Sequence, residues 1–120
     1  MEELSKKDIM HDAKVELRLV IPGSHDITLM SGRFAELCMK IDESHAIRQA
    51  ALSTGMAWSN AWRLIIESEK ILGFPLVRRY GAHGSEVTPE CMRLVEGYND
   101  ALKLAEAKLF EALEDVLKHA

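Results

Sequence analysis

Two periods of apolar residues divide this chain, and each predicts a different kind of element. Val15, Leu17, Leu19 and Ile21 alternate with Lys14, Glu16 and Arg18. A period of two places one row of side chains on each face of an extended segment, so a strand with one buried face begins at Lys14. Pro22, Gly23, Ser24, His25 and Asp26 form a turn cluster, and residues 27–30 supply a short return strand, making a hairpin. After Ser31 and Gly32 the period lengthens to that of a helix. Phe34, Leu37, Cys38 and Ile41 share one face, with Ser31 as N-cap and an end near Asp42. A second helix is expected from a cap at Ser44 to Thr54 and Gly55. A third is expected over about 57–72, ended by Gly73, with Ala57, Ala61, Leu64, Ile65, Ile71 and Leu72 on its buried side. Leu76 and Val77 open another strand, residues 80–85 hold two glycines for a turn, and residues 86–88 return.

The last segment changes period again. Thr88 and Pro89 suit the N-cap and first position of a helix over 89–118. Within it Cys91, Val95, Tyr98, Leu102, Ala105, Leu109, Ala112 and Val116 are spaced alternately four and three apart, an unbroken heptad seam. A helix of about 28 residues is roughly 42 Å long at 1.5 Å per residue, more than a domain of this size can cover. The C-terminal half is therefore expected to project and pair with a second copy. The interface would be Val95, Tyr98, Leu102, Ala105, Leu109, Ala112 and Val116. Packing within the chain, against the first helix and the hairpin, is the alternative.

The middle of the chain has the form of a helix-turn-helix. Two helical segments meet at Gly55, and small Ala51 lies four residues before it. The first helix must approach the second closely, which calls for a small contact residue, and the turn calls for a residue that tolerates positive φ. A longer amphipathic helix and a short basic strand pair follow. The expected fold is α+β, mostly α: a winged helix-turn-helix with an N-terminal hairpin and a long C-terminal helix. It forms one domain over 14–120 after a flexible N-terminus at 1–13.

Ile47-Arg48-Gln49-Ala50-Ala51, Gly55-Met56, Ala61-Trp62 and Leu72-Gly73-Phe74-Pro75-Leu76-Val77-Arg78-Arg79 resemble the N-terminal DNA-binding domain of the ModE family of molybdate-responsive transcriptional regulators. Gly32-Arg33-Phe34-Ala35-Glu36-Leu37 and Ile41-Asp42-Glu43 fit the same pattern, and the resemblance covers roughly residues 15–113. It implies a DNA-binding transcriptional regulator, which the heptad seam would make a homodimer. Where family members usually carry a lysine-bearing Ser-Tyr-Lys-Lys/Ser stretch before the Ala-Trp pair, this chain has Ala57-Trp58-Ser59-Asn60. Its loop after Arg79 is also shorter and less basic than the family's. Members sense molybdate through C-terminal domains, and this sequence ends at Ala120 after the long helix, so no molybdate site is expected in it.

Composition sharpens this reading in places. The net charge is −4, unlike the basic balance usual for nucleic-acid binding, but it is unevenly distributed. Residues 1–44 and 89–120 each carry −3, whereas residues 45–88 carry +2 from Arg48, Arg63, Lys70, Arg78 and Arg79 against Glu67, Glu69 and Glu86. No apolar run approaches the ~18 residues of a membrane span, and the N-terminus lacks the apolar core of a signal peptide. A cytoplasmic location is expected. Cys38 and Cys91 sit in separate apolar helical contexts and read as buried structural thiols. The five histidines are scattered, none at metal-ligand spacing, and no nucleophile motif or phosphate-cradling loop is present. Neither a metal, a cofactor nor catalysis is expected.

The candidate DNA-binding residues follow from the motif. The start of the third helix enters the major groove in such motifs, which assigns Trp58, Ser59, Asn60 and Arg63 to the duplex. Asn60 suits adenine, and Arg63 suits guanine or phosphate. Trp62 is expected to pack inside; Trp58 either packs on the strand pair or stacks on a sugar edge. Arg48 and Gln49, with Ser44 and Thr54 as donors, would meet phosphates. Arg78, Arg79, His83 and Ser85 belong to the wing, where basic residues suit the minor groove or flanking phosphates and glycines permit close approach. A winged-helix module that binds protein instead of DNA is the alternative reading.

Overall fold

The lengthening of the apolar period at Ser31 is where a hairpin gives way to helices. The computed structural model describes residues 5–119. The order is α1 (Lys6–Asp12), β1 (Arg18–Ile21), β2 (Ile27–Ser31), α2 (Gly32–Ser44), α3 (Ile47–Ser53), α4 (Trp58–Leu72), β3 (Val77–Arg79), a single 3-10 turn (Gly81–His83), β4 (Ser85–Val87) and α5 (Pro89–His119). The chain is α+β and mostly helical, with two small antiparallel sheets, β1–β2 and β3–β4. It divides into two compact units, Leu17–Tyr98 and the pairing of the N-terminal segment with Asn99–Ala120, where one domain over 14–120 was expected.

In the larger unit, Phe34, Leu37, Cys38 and Ile41 from α2 meet Ile47, Ala50 and Ala51 of α3 and Ala61 and Ile65 of α4. Leu76, Val77 and Val87 from the second sheet and Cys91 and Val95 from α5 complete this core. The local stop and start signals act as their chemistry dictates. Ser31 Oγ accepts from Phe34 N at 3.1 Å, and Thr88 Oγ1 accepts from Cys91 N at 3.1 Å, so both helices begin where their caps stand. Gly73 ends α4 in the left-handed region.

Four expectations need correction. The strand begins at Arg18, and Leu19 and Ile21 are exposed. The ladder pairs Leu19 with Met30 but Val20 with Thr28, so Leu29 is an extra residue in β2. At that bulge both Leu29 and Met30 are buried, whereas Leu19, opposite Met30, stays exposed. Of the N-terminus read as flexible over 1–13, residues 1–4 lie outside the described residues, and residues 6–12 form a helix capped by Ser5, which accepts from Asp8 N at 3.1 Å. Ser44 does not cap the next helix: it closes α2, donating to Lys40 O at 2.8 Å, and α3 begins after Ala46 without a side-chain cap. On α4, Ala57 and Ile71 are exposed, while the buried side includes Ser68, which donates to Thr28 O at 2.6 Å and so ties α4 to the hairpin.

The long helix is present, and its heptad seam is not uniform along its length. Val95 is packed in the core and so not open to a second copy as expected, and half-buried Tyr98 donates to Leu17 O at 2.9 Å. Leu102 and Ala105 are half-buried, whereas Leu109, Ala112 and Val116 are exposed. In the smaller unit α1 lies against the end of this helix, and Met10, Glu114 and Leu117 line a shallow cleft between them.

Candidate nucleic-acid interface

The turn between α3 and α4 depends on Gly55, whose φ of 67° is the positive value foreseen for it. Met56 N donates to Ala51 O at 2.9 Å, and Ala51 is buried, so the two helices approach across a small side chain. An unforeseen clamp also holds the turn. Arg33, one residue into α2, donates to the carbonyls of Thr54 and Gly55, both at 3.1 Å. No local pattern could point to it, because the partners lie 21 and 22 residues away.

The exposed side of α3 and the start of α4 carry half of the expected site. Arg48 and Gln49 are exposed on α3, and Trp58, Ser59, Asn60 and Arg63 are exposed on α4. Two arginines, Arg48 and Arg79, are held in place by indole rings. The Arg48 guanidinium carbon lies 4.9 Å from the centre of Trp58, Trp58 stacks on Trp62 at 6.1 Å, and Arg79 from β3 lies 4.3 Å from the centre of Trp62. Each such contact contributes about 0.5–1.5 kcal/mol. Trp62 packs on the core with the rest of its surface, as expected, and Trp58 is the exposed member of the pair, packing on its neighbour indole.

Carboxylates complete the arrangement. Glu69 Oε2 accepts from the backbone N–H groups of Leu76 and Val77, at 2.7 and 3.2 Å, while its Oε1 stands 3.7 Å from Arg79. One side chain thus fixes both the start of β3 and a cation further along it. Glu67 lies 3.5 Å from Arg63 and 3.1 Å from His25 at the hairpin turn. Arg63 in turn donates to Asn60 Oδ1 over a long 3.4 Å. In the free protein, the two residues expected to read bases thus touch each other. Glu67, Glu69 and Arg33 were missed as site residues because charge patterning shows only their sign.

Several assigned residues do other work. Thr54 Oγ1 donates to Ala50 O and Ala51 O at 3.1 and 3.0 Å, and the Ser44 hydroxyl serves Lys40 O, so neither hydroxyl is free to donate to a phosphate as expected. Ser85 is half-buried, and its N–H donates to His45 O at 2.7 Å. Gly84 makes that approach possible: its φ is 88°, and a Cβ there would stand 2.5 Å from His45 O. The glycine expected to allow close approach to DNA is used inside the protein. Arg78 and His83 are exposed, and Arg78 stands opposite Glu86 in the ladder.

Among the described residues there is no group of three or more histidine, cysteine or acidic side chains able to hold a metal ion. Among the described residues no helix is long and apolar enough to cross a membrane. Neither the models of protein families nor the curated proteins contain a match to this chain.

Proposed function

We propose that this protein binds double-stranded DNA in a sequence-specific way as a homodimer, acting as a transcriptional regulator. Its α3–turn–α4 segment serves as a helix-turn-helix and β3–β4 as the wing, in the manner of the ModE-type domain its sequence resembles. The observation that carries this reading is the run Arg48–Trp58–Trp62–Arg79. It joins α3, the start of α4 and the ribbon, and holds a cation at either end beside the exposed Ser59 and Asn60. Pre-ordered arginines lose less freedom on meeting phosphates than free ones do. Asn60 and Arg63 then exchange their long mutual contact for base edges in the major groove.

The second copy is expected on the heptad face of α5, where Leu109 and Val116 are 56% and 61% exposed. One observation favours the alternative of a protein-binding module. Arg63 and Arg79 already face carboxylates of their own chain, which weakens their pull on a polyanion. Selection from a random-sequence duplex pool decides between the two. Enrichment of one motif, lost in Asn60→Ala, supports DNA reading; an unenriched pool favours the protein-binding alternative.

A further inference from the structure

Cys38 and Cys91 come from helices 53 residues apart in the chain, yet their sulfurs lie 3.4 Å apart. Both are fully buried, Cys38 within α2 and Cys91 in the first turn of α5. A disulfide sulfur pair is about 2.0 Å apart, so closure calls for a little over an ångström of side-chain movement. Neither thiol is used by the DNA-binding face, and nothing in simple core packing requires two sulfurs to meet.

We propose that Cys38 and Cys91 are a disulfide-forming dithiol whose oxidant is a small peroxide. This inference stands independently of the DNA-binding reading. In the dithiol the Cys91 S–H donates to Cys38 Sγ; Cys91 ionises first, because the Cys38 S–H then turns to donate to its thiolate, against burial and against the carboxylates of Glu69 and Asp42. The same hydrogen bond, together with burial, pushes the Cys38 thiol far above its ordinary range, so Cys38 keeps its proton.

The Cys91 thiolate attacks one oxygen of hydrogen peroxide; the S–O bond forms, the O–O bond breaks and hydroxide leaves. Cys38 sulfur then attacks the Cys91 sulfenic acid, forming the S–S bond. The Cys38 proton and the departing hydroxyl leave as water. Overall, two thiols and one hydrogen peroxide give one disulfide and two waters. Burial sets the size of the oxidant. Hydrogen peroxide is close to water in size and enters through small openings, while a glutathione-sized disulfide needs a wide one.

The loop so closed contains α3, α4 and the β3–β4 ribbon. Cross-linking across such a span restricts the unfolded chain more than the folded one, so oxidation should raise thermal stability.

The test treats the reduced full chain, at native pH, with one to a few equivalents of hydrogen peroxide or with glutathione disulfide. Alkylation under denaturing conditions and peptide mass mapping follow. The expected peroxide product is a monomer with both thiols protected and a Cys38–Cys91 linked peptide, two hydrogens lighter, absent from Cys38→Ser. Its melting midpoint rises by several degrees and returns after dithiothreitol, while glutathione disulfide leaves both thiols free. Full alkylation after peroxide, sulfinic or sulfonic acids without a cross-link, disulfide-linked dimers, a mixed disulfide with glutathione, or an oxidised form no more stable than the reduced one would each overturn the proposal. The primary readouts are all on the wild-type chain, so a Cys38→Ser variant that fails to fold changes none of them.

Discussion

The face built by α3, α4 and the β3–β4 ribbon differs from the C-terminal half of α5 in what each leaves unsatisfied. On the first, charged side chains have partners: two arginines lie on indole rings, and Glu67 and Glu69 stand beside Arg63 and Arg79. On the second, charges are paired along the helix, as in Lys118 with Glu114, while Leu104, Leu109 and Val116 are left to water. The balance of charge runs the same way, +2 over residues 45–88 and −3 over residues 89–120. An ordered cationic face would suit a polyanion, and the uncovered Leu109 and Val116 on one heptad face would suit a second copy. Exposed apolar area and exposed charge thus point to different partners according to what already holds each of them.

The largest effect should come from α5. In a dimer through this helix Leu109 would be covered, and burying an unpaired carboxylate there costs several kcal/mol. Leu109→Glu should therefore weaken dimerisation by at least about 100-fold. Sedimentation equilibrium at micromolar concentration should give twice 13.5 kDa for the wild type and 13.5 kDa for the variant. A wild type that stays monomeric at every concentration removes the comparison altogether.

On the other face, Asn60→Ala should cost about 1–3 kcal/mol on the preferred duplex and little on random DNA. Equilibrium titrations on both duplexes measure this. A fall in melting temperature with unchanged DNA binding would make Asn60 a structural residue.

Arg79→Ala sharpens the comparison differently. Read from the sequence, Arg79 is a free wing residue whose removal spares stability. Its contacts with Glu69 and Trp62 instead predict a loss of about 1 kcal/mol in unfolding free energy. It should also weaken binding to both duplexes similarly, with a salt slope shallower by about one per lost phosphate contact. Denaturant melts that show no change would mean the ion pair and stacking contribute nothing.

The smallest effect should be a gain. Glu67→Gln removes the carboxylate beside Arg63, and DNA affinity should rise about 3- to 10-fold at low salt, consistent with about 1 kcal/mol for an exposed pair. A loss of affinity would show that Glu67 is needed to aim Arg63.

How much of this was legible depended on distance along the chain. The caps at Ser31 and Thr88, the turn at Gly55 and the end at Gly73 are settled within a few residues, and they were read correctly. The heptad spacing on α5 was equally plain, yet its first half is covered by Val95 and Tyr98 packing on their own chain, which spacing cannot show. The bulge at Leu29 was hidden because two adjacent apolar residues look the same whether the strand runs straight or bends. The Arg33 clamp, the two anchors made by Glu69 and the meeting of Cys38 with Cys91 all join distant segments. Of the candidate site, the exposed start of α4 and Arg48 were legible. The reason those side chains hold still was not.

Titration of the protein with a selected duplex and a scrambled one, across a range of salt, is the decisive measurement. Arg48, Arg63, Arg78 and Arg79 from two subunits would neutralise about six to eight phosphates. Binding should then weaken with a log–log slope near −5 to −7, with clear preference for the selected sequence. A slope shallower than about −2, equal affinity for both duplexes, or no binding at about 50 mM salt would contradict the account.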